Sequence, residues 1–278
     1  MKEITVSEVV AFLDATFHPE YQEDYDNSGF LLGDGSMPYR GCLVALDLTP
    51  EVVDEAIALR EGAADGQGVN LIVTHHPYIF TGLKLITDRS EAGRMTLALV
   101  RHGIAVYAAH TNLDSLPWGV NGILCEVLGL SDCHILRPQA APAGTAPAGE
   151  IGAGMVGELA APVAADAFLA EVKRLTGQPS IRTSRHDPER RVRRVAVCGG
   201  AGAFLIPDAM AARADLFLTA DLKYHDFQRA EDRIILADAG HYETEQFAKT
   251  IIYRAISEKF SNFACRISER QTSIVQYI

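Results

Sequence analysis

Val69-Asn70-Leu71-Ile72-Val73-Thr74-His75-His76-Pro77 is an apolar run that stops abruptly at two histidines and a proline. The run is short and rich in β-branched residues, as a buried strand is. Pro77 cannot continue a ladder and stiffens the turn that follows. The same arrangement recurs on either side. Ile104 to Ala109 is a second apolar run, ended by His110-Thr111-Asn112-Leu113-Asp114. Upstream, Gly41 to Leu48 is a third, followed by Thr49-Pro50-Glu51, which reads as an N-cap, a first-turn proline and a first-turn acid. That signal predicts a helix to about Glu61. Ser90 opens another helix, through Arg101, and Val120 to Leu130 a third that ends near Gly129. Strands separated by helices predict an α/β fold with mostly parallel sheet. In such sheets ligands bind at the carboxyl ends of the strands.

The alternation resumes after residue 190. Arg194–Cys198, Leu216–Thr219 and Ile234–Ala237 read as strands and Phe204–Arg213 as a helix. A long helix is expected from about Tyr242 to Lys259. Between the two halves, residues 137–150 (RPQAAPAGTAPAGE) have a linker composition. Residues 151–191 read as a small unit with an apolar strand, a helix from Ala165 to Leu175 closed by Gly177, and a basic loop from Arg185 to Arg194. The expected division is therefore residues 1–136 with 192–278, and a middle segment of 137–191.

Composition removes several function classes. The chain has 278 residues, 48% hydrophobic and 22% charged, which is enough to bury a full core. Net charge is −11, which argues against a nucleic-acid groove or an anionic membrane surface as the main partner. The five cysteines, Cys42, Cys125, Cys133, Cys198 and Cys265, include no CxxC pair. Neither a disulfide framework nor a cysteine-based zinc knuckle is indicated, and a reducing cytoplasm is the simplest expectation. Met1 to Val6 lacks an apolar signal-peptide core, and no apolar run reaches the length of a membrane span.

The histidines carry the chemistry. Five of the nine (His75, His76, His110, His225 and His241) fall just after predicted strands. Adjacent residues in an extended segment point in different directions, so His75 and His76 suit two neighbouring metals, one imidazole each. The plain alternative is a pair of surface loop histidines. Asp114, in the second constellation, is a carboxylate able to bridge two cations. Its alternative is an Asx turn in which Asn112 and Asp114 cap backbone donors. The third constellation, Gly240-His241-Tyr242-Glu243-Thr244-Glu245, opens a helix. His241 and Glu245 share one helix face, while Glu243 lies on another and is better read as a first-turn acid that complements the helix dipole. Three strand ends that each supply histidine with carboxylate rarely coincide by chance. Imidazole with carboxylate suits Zn, Mn, Fe or Ni better than Ca or Mg.

Tyr25-Asp26-Asn27-Ser28-Gly29-Phe30-Leu31-Leu32-Gly33, then THHP, HTNLD and GHYETE in this order, resemble the GTP cyclohydrolase I type 2 homologue family of NGG-interacting-factor-three-like proteins. The resemblance spans nearly the whole chain. It implies two intertwined α/β lobes, a dinuclear metal centre at strand ends between them, and a toroidal homo-hexamer. By matching positions the metal ligands would be His75, His76, Asp114, His241 and Glu245, holding two divalent ions per subunit, with Zn, Fe, Mn or Ni as the alternatives. His110 would lie close by. His225, in a Tyr-His-Asp triplet the family often has, would contact substrate or move a proton; its alternative is a packing residue at a helix start. Tyr25 stands where the family often has Trp and Leu31 where it often has Gln, which alters the pocket wall and not the ligands. The chain looks too short for the inserted domain of the longer members, and 137–191 would be the compact version of that region.

The function expected on these grounds is a metal-dependent hydrolase acting on a small molecule: a nucleotide, another phosphate ester or a cyclic amide. His110 and His225 are the proton-transfer candidates. A non-enzymatic metal store, chaperone or regulatory scaffold would use the same ligands. Other motifs are decoys. Gly152-Ala153-Gly154-Met155-Val156-Gly157 spells GxGxxG, but a linker precedes it and an apolar strand continues from it, so a dinucleotide site is not expected. His186-Asp187 sits in the basic loop and reads as exposed. His102 caps a helix end, and His18 and His134 read as structural or surface residues.

Overall fold

The structure is a computed structural model, described here for residues 3–63, 68–141, 150–270 and 273–278. The core of the expected linker, 142–149, lies outside the described residues. Along the chain the elements run α1 (Val6–Phe17), β1 (Gly29–Leu32), β2 (Gly41–Ala45), α2 (Pro50–Glu61), β3 (Leu71–Thr74), α3 (Glu91–Arg101), β4 (Ala105–Ala108) and α4 (Thr111–Asp114). Next come α5 (Val120–Val127), β5 (Ser131–Gln139), β6 (Ile151–Ala164), α6 (Ala165–Thr176), β7 (Arg182–Thr183), β8 (Arg191–Ala201) and α7 (Ile206–Ala211). The last are β9 (Leu216–Ala220), β10 (Ile235–Asp238), α8 (His241–Glu245), α9 (Ala248–Lys259) and β11 (Ala264–Ile267). The α/β class expected from the alternation is the observed one. None of the described helices is long and apolar enough to cross a membrane.

The chain divides into two compact units. The first is Met1–Leu113 with Ala248–Thr272, and the second is Asp114–Phe247 with Ser273–Ile278. The first carries a five-stranded sheet in the order β1-β4-β3-β2-β11. β11, β2, β3 and β4 are parallel neighbours, and β1 closes one edge antiparallel to β4. The successive β2-α2-β3-α3-β4 crossovers give this order directly. Leu43, Ala45, Ile72 and Val106 pack on one face against Val52, Val53 and Ala56 of α2 and Met95 and Leu99 of α3. The alternate residues, among them Val44, Val73 and Tyr107, are just as buried. Tyr107 reaches α1 on that face, where its hydroxyl donates to Asp14 Oδ1 at 3.0 Å. Burial on both faces is why these strands read as unbroken apolar runs.

The second unit holds a six-stranded mixed sheet, β5-β6-β8-β9-β10-β7. β8, β9 and β10 run parallel, and β5, β6 and β7 are antiparallel to their neighbours. One face packs Val195, Val197, Leu216, Leu218, Ile235 and Ala237 against α5 and α6. The other packs Ala196, Phe217 and Leu236 against Leu205, Ile206 and Ala209. Residues 151–164, grouped by composition with a middle segment, form β6 at the interior of this sheet. The GxGxxG stretch lies within β6, as strand and not as a phosphate loop.

Two expectations are corrected. The long helix from Tyr242 to Lys259 is broken at Gln246-Phe247 into α8 and α9. Gln246 Nε2 donates to Thr176 O at 2.7 Å, Phe247 packs against the core of the second unit, and Ala248, Ile252 and Ile256 are buried in α9. The basic loop, whose plainest reading is a solvated face, keeps Arg185, Arg191 and Arg193 exposed. Its last four arginines lie at the end of the loop or in β8, where Arg190 binds the carbonyls of Asp232 and Arg233, Arg191 that of Pro162, and Arg193 and Arg194 share Glu158. His186, read as exposed, is a half-buried bridge from Ser184 O to Asp166 Oδ1.

Candidate metal-binding site

In the first unit the ends of β2, β3 and β4 are aligned, with Thr74 in register with Ala45 on one side and Ala108 on the other. Residues just past those ends therefore cluster. Past β3 come His75 and His76, whose N–H groups donate to Ala45 and Leu46 carbonyls. Past β4 comes His110, and past β2 comes Asp47. The three imidazole rings sit 4.9 to 5.3 Å apart, centroid to centroid. One nitrogen from each lies within 4.8 Å of the others, which makes His75, His76 and His110 a group able to hold a cation.

The partners of these rings decide what they can do. His75 Nδ1 lies 2.7 Å from Ala109 O, which can only accept, so Nδ1 carries the proton. His76 Nδ1 lies 2.6 Å from Asp47 Oδ1, and His110 Nδ1 lies 2.7 Å from Asp26 Oδ1. With Nδ1 donating, a neutral ring places its lone pair on Nε2. This is the arrangement in which metal-ligating histidines are oriented by an outer carboxylate or carbonyl. Asp26 is itself held firmly by the backbone N–H and hydroxyl of Thr111. Burial pushes its carboxyl up, but the hydrogen bonds from His110, Thr111 and the Asn27 N–H outweigh it. The net effect holds Asp26 well below the usual carboxylate range.

In the second unit His241 opens α8 after Gly240, whose φ of +83° turns the chain out of β10. His241 and Glu245 meet as their i,i+4 spacing predicts, with Nε2 and Oε2 2.9 Å apart. His241 Nδ1 lies 2.7 Å from Asp221 Oδ2, so the pattern of the first unit repeats. Glu245 is buried, and the backbone of Gly199-Gly200 passes directly beside it. A Cβ on Gly200, whose φ is +61°, would fall 2.1 Å from Glu245 Oε1 and 3.1 Å from His241 Nε2. Asn121 ties Asp114 into the same surroundings: its amide donates to Asp114 O and its carbonyl oxygen accepts from Gly199 N–H. Burial first, then the charges of Asp114 and Glu245, push the Cys198 thiol well above the usual thiol range. The donors on both units are nitrogen and oxygen, the set that fits Zn, Mn, Fe or Ni.

His225 takes no part in a metal-capable group among the described residues. It is exposed, edge-on to Tyr224, with Nδ1 3.4 Å from Gln228 Oε1. Glu243 is buried near Gly240 and is likewise in no such group. Sequence reasoning missed Asp47 and Asp221 and quoted Asp26 without a role. Asp47 and Asp221 follow strands, the same signal that found the histidines.

Residues 4–273 match the family model described as Duf34/NIF3 (NGG1p interacting factor 3). The chain belongs to this Duf34/NIF3 family. Among its curated relatives, a Streptomyces coelicolor "GTP cyclohydrolase 1 type 2 homolog" is 36% identical over 243 residues, covering 86% of this chain and 81% of the relative. A Streptococcus pneumoniae protein of the same name is 30% identical over 249 residues, covering 88% of both. Among solved structures, a Staphylococcus aureus hypothetical protein aligns over the full length of both chains with a TM-score of 0.87 at 27% identity. A Bacillus cereus protein related to NIF3 shares the fold, with a TM-score of 0.88 at 24% identity and full coverage. The family expected from the ordered motifs is thus the one to which the chain belongs.

Proposed function

We propose that this Duf34/NIF3 protein binds two divalent cations through His75, His76, Asp114, His241 and Glu245 and acts as a metal-dependent hydrolase. The observation that carries the reading is the repeated pinning of imidazole Nδ1. Four histidines on two units each give that nitrogen to a carbonyl or carboxylate, the outer contact that orients the ring of a metal-ligating histidine. Bound cations would supply Lewis acidity toward a substrate oxygen and a nucleophilic water near neutral pH. The chain's own residues orient and position. Asp47 and Asp221 fix the rings of His76 and His241, and Gly200 leaves the space Glu245 occupies. His110, backed by Asp26, would exchange a proton with substrate.

An aromatic wall supports a planar heterocycle as substrate. The Phe80 ring lies 6.1 Å from that of His110, and Tyr25 lies 6.3 Å from Phe80, both side chains exposed. The relatives' name, GTP cyclohydrolase 1 type 2 homolog, points to a nucleotide, and a homo-hexamer is the assembly proposed. The test is turnover of a hydrolase panel containing nucleotides, phosphate esters and cyclic amides by metal-loaded protein and by Asp114→Ala. The wild type is expected to turn over at least one class, and Asp114→Ala to lose it together with metal. Full metal occupancy with no turnover across the panel sinks the hydrolase and leaves a metal-binding scaffold.

A further inference from the structure

Two cysteines of the first unit form a structure that the metal site does not use. Cys42 of β2 and Cys265 of β11 are register partners on adjacent parallel strands. Neighbouring strands lie about 4.7–4.9 Å apart, inside the roughly 4.4–6.8 Å Cα separation that a disulfide spans. Register partners also send their side chains to the same face of the sheet. Among the described residues β11 is the outer strand, paired with β2 alone.

The surroundings differ for the two sulfurs. Cys42 is fully buried, whereas Cys265 is half-exposed and lines a surface pocket of about 380 Å³ with Tyr253, Arg266 and Glu55. Tyr39 stands close enough to both thiols to be raised by each, after burial. Its hydroxyl is buried and has no hydrogen-bond partner among the described residues. Hydrogen bonding with Cys42, against burial and helped by Ser257, holds Cys265 below the ordinary thiol value, while burial and then Cys265 push Cys42 up.

We propose that Cys265 and Cys42 form a hydroperoxide-reactive pair, with Cys265 as the attacking thiol and Cys42 as the resolving one. The Cys265 thiolate attacks the outer oxygen of a hydroperoxide. The O–O bond breaks, an alcohol or water leaves, and Cys265 becomes a sulfenic acid. The Cys42 sulfur then attacks the Cys265 sulfur. The S–O bond breaks, the Cys42 proton leaves with the hydroxyl as water, and a disulfide joins β2 to β11. Two electrons pass from the thiols to the peroxide.

Cys125 and Cys133 supply an internal control. They also touch, but both are raised, Cys125 and Cys133 each chiefly by burial, so neither is a ready thiolate.

The test exposes reduced full-length protein to limiting hydrogen peroxide, blocks the remaining thiols with an alkylating reagent and maps peptides by mass spectrometry. The expected result is a Cys42–Cys265 peptide that forms before any other oxidised cysteine, costs two of the five thiols and disappears with dithiothreitol. Cys265→Ser, at a half-exposed position, should abolish that peptide and leave Cys42 reduced. Cys42→Ala, where it folds, should leave a Cys265 sulfenic acid that dimedone traps. Cys265 left unreacted, Cys265 over-oxidised with Cys42 still a thiol in the wild type, or a Cys125–Cys133 bond formed first would each overturn the proposal.

Discussion

A neutral imidazole offers a cation one nitrogen, so the partner of its other nitrogen decides where it points. Asp221 serves His241 in this way, and Asp47 serves His76. Asp221→Asn keeps the size of the side chain and removes its charge. It is expected to weaken divalent-metal affinity about 10–100-fold, the usual effect of losing such a partner. Competition with a chromophoric chelator measures this, and an unchanged affinity would mean that His241 is not a ligand. Gly200 makes the complementary point. Its left-handed φ costs a residue with a side chain about 1–2 kcal/mol, and the carboxylate of Glu245 already fills the space a Cβ would need. Gly200→Ala should lower both the melting temperature and the metal content; retention of both would show that Glu245 can move aside freely.

At the scale of elements, the parallel strands fix where the ligands start. Ile72, at the middle of β3, is buried between the strands on either side and the helices above. Ile72→Ala should cost about 2–5 kcal/mol of stability, the range for truncating a buried aliphatic residue. Urea unfolding followed by circular dichroism reads it, and a loss below about 1 kcal/mol would mean the site collapses to fill the cavity. These strands were legible in the sequence because burial on both faces leaves unbroken runs such as Leu71–Thr74 with sharp polar ends. The break between α8 and α9 was not. Helical residues continue across it, and what stops the helix is Gln246 reaching Thr176, a partner 70 residues away that no local pattern encodes. The histidines were legible for the same reason as the strands. Asp47 and Asp221 were overlooked because a lone acid after a strand resembles an ordinary turn residue, and only their contact with a ring gives them a role.

For the whole molecule, the shared premise of the functional reading is metal content. Protein purified without added metal is expected to hold divalent ions by elemental analysis. Less than one ion per chain, unrestored by Zn, Mn or Fe, would remove the centre. Light scattering should give the mass of six copies, and a monomer would refute the assembly. The net charge of −11 does not oppose an anionic substrate, since cations bound as proposed would set the local field at the site.

The position of β11 has a consequence for biosynthesis. The first unit is written in two pieces, Met1–Leu113 and Ala248–Thr272, so the ribosome makes the whole of 114–247 before the sheet of the first unit can be finished. Until residues 264–267 emerge, β2 presents an open, wholly apolar edge, the kind of strand that pairs wrongly with other chains. The nascent chain is most exposed to aggregation while its second unit is being made.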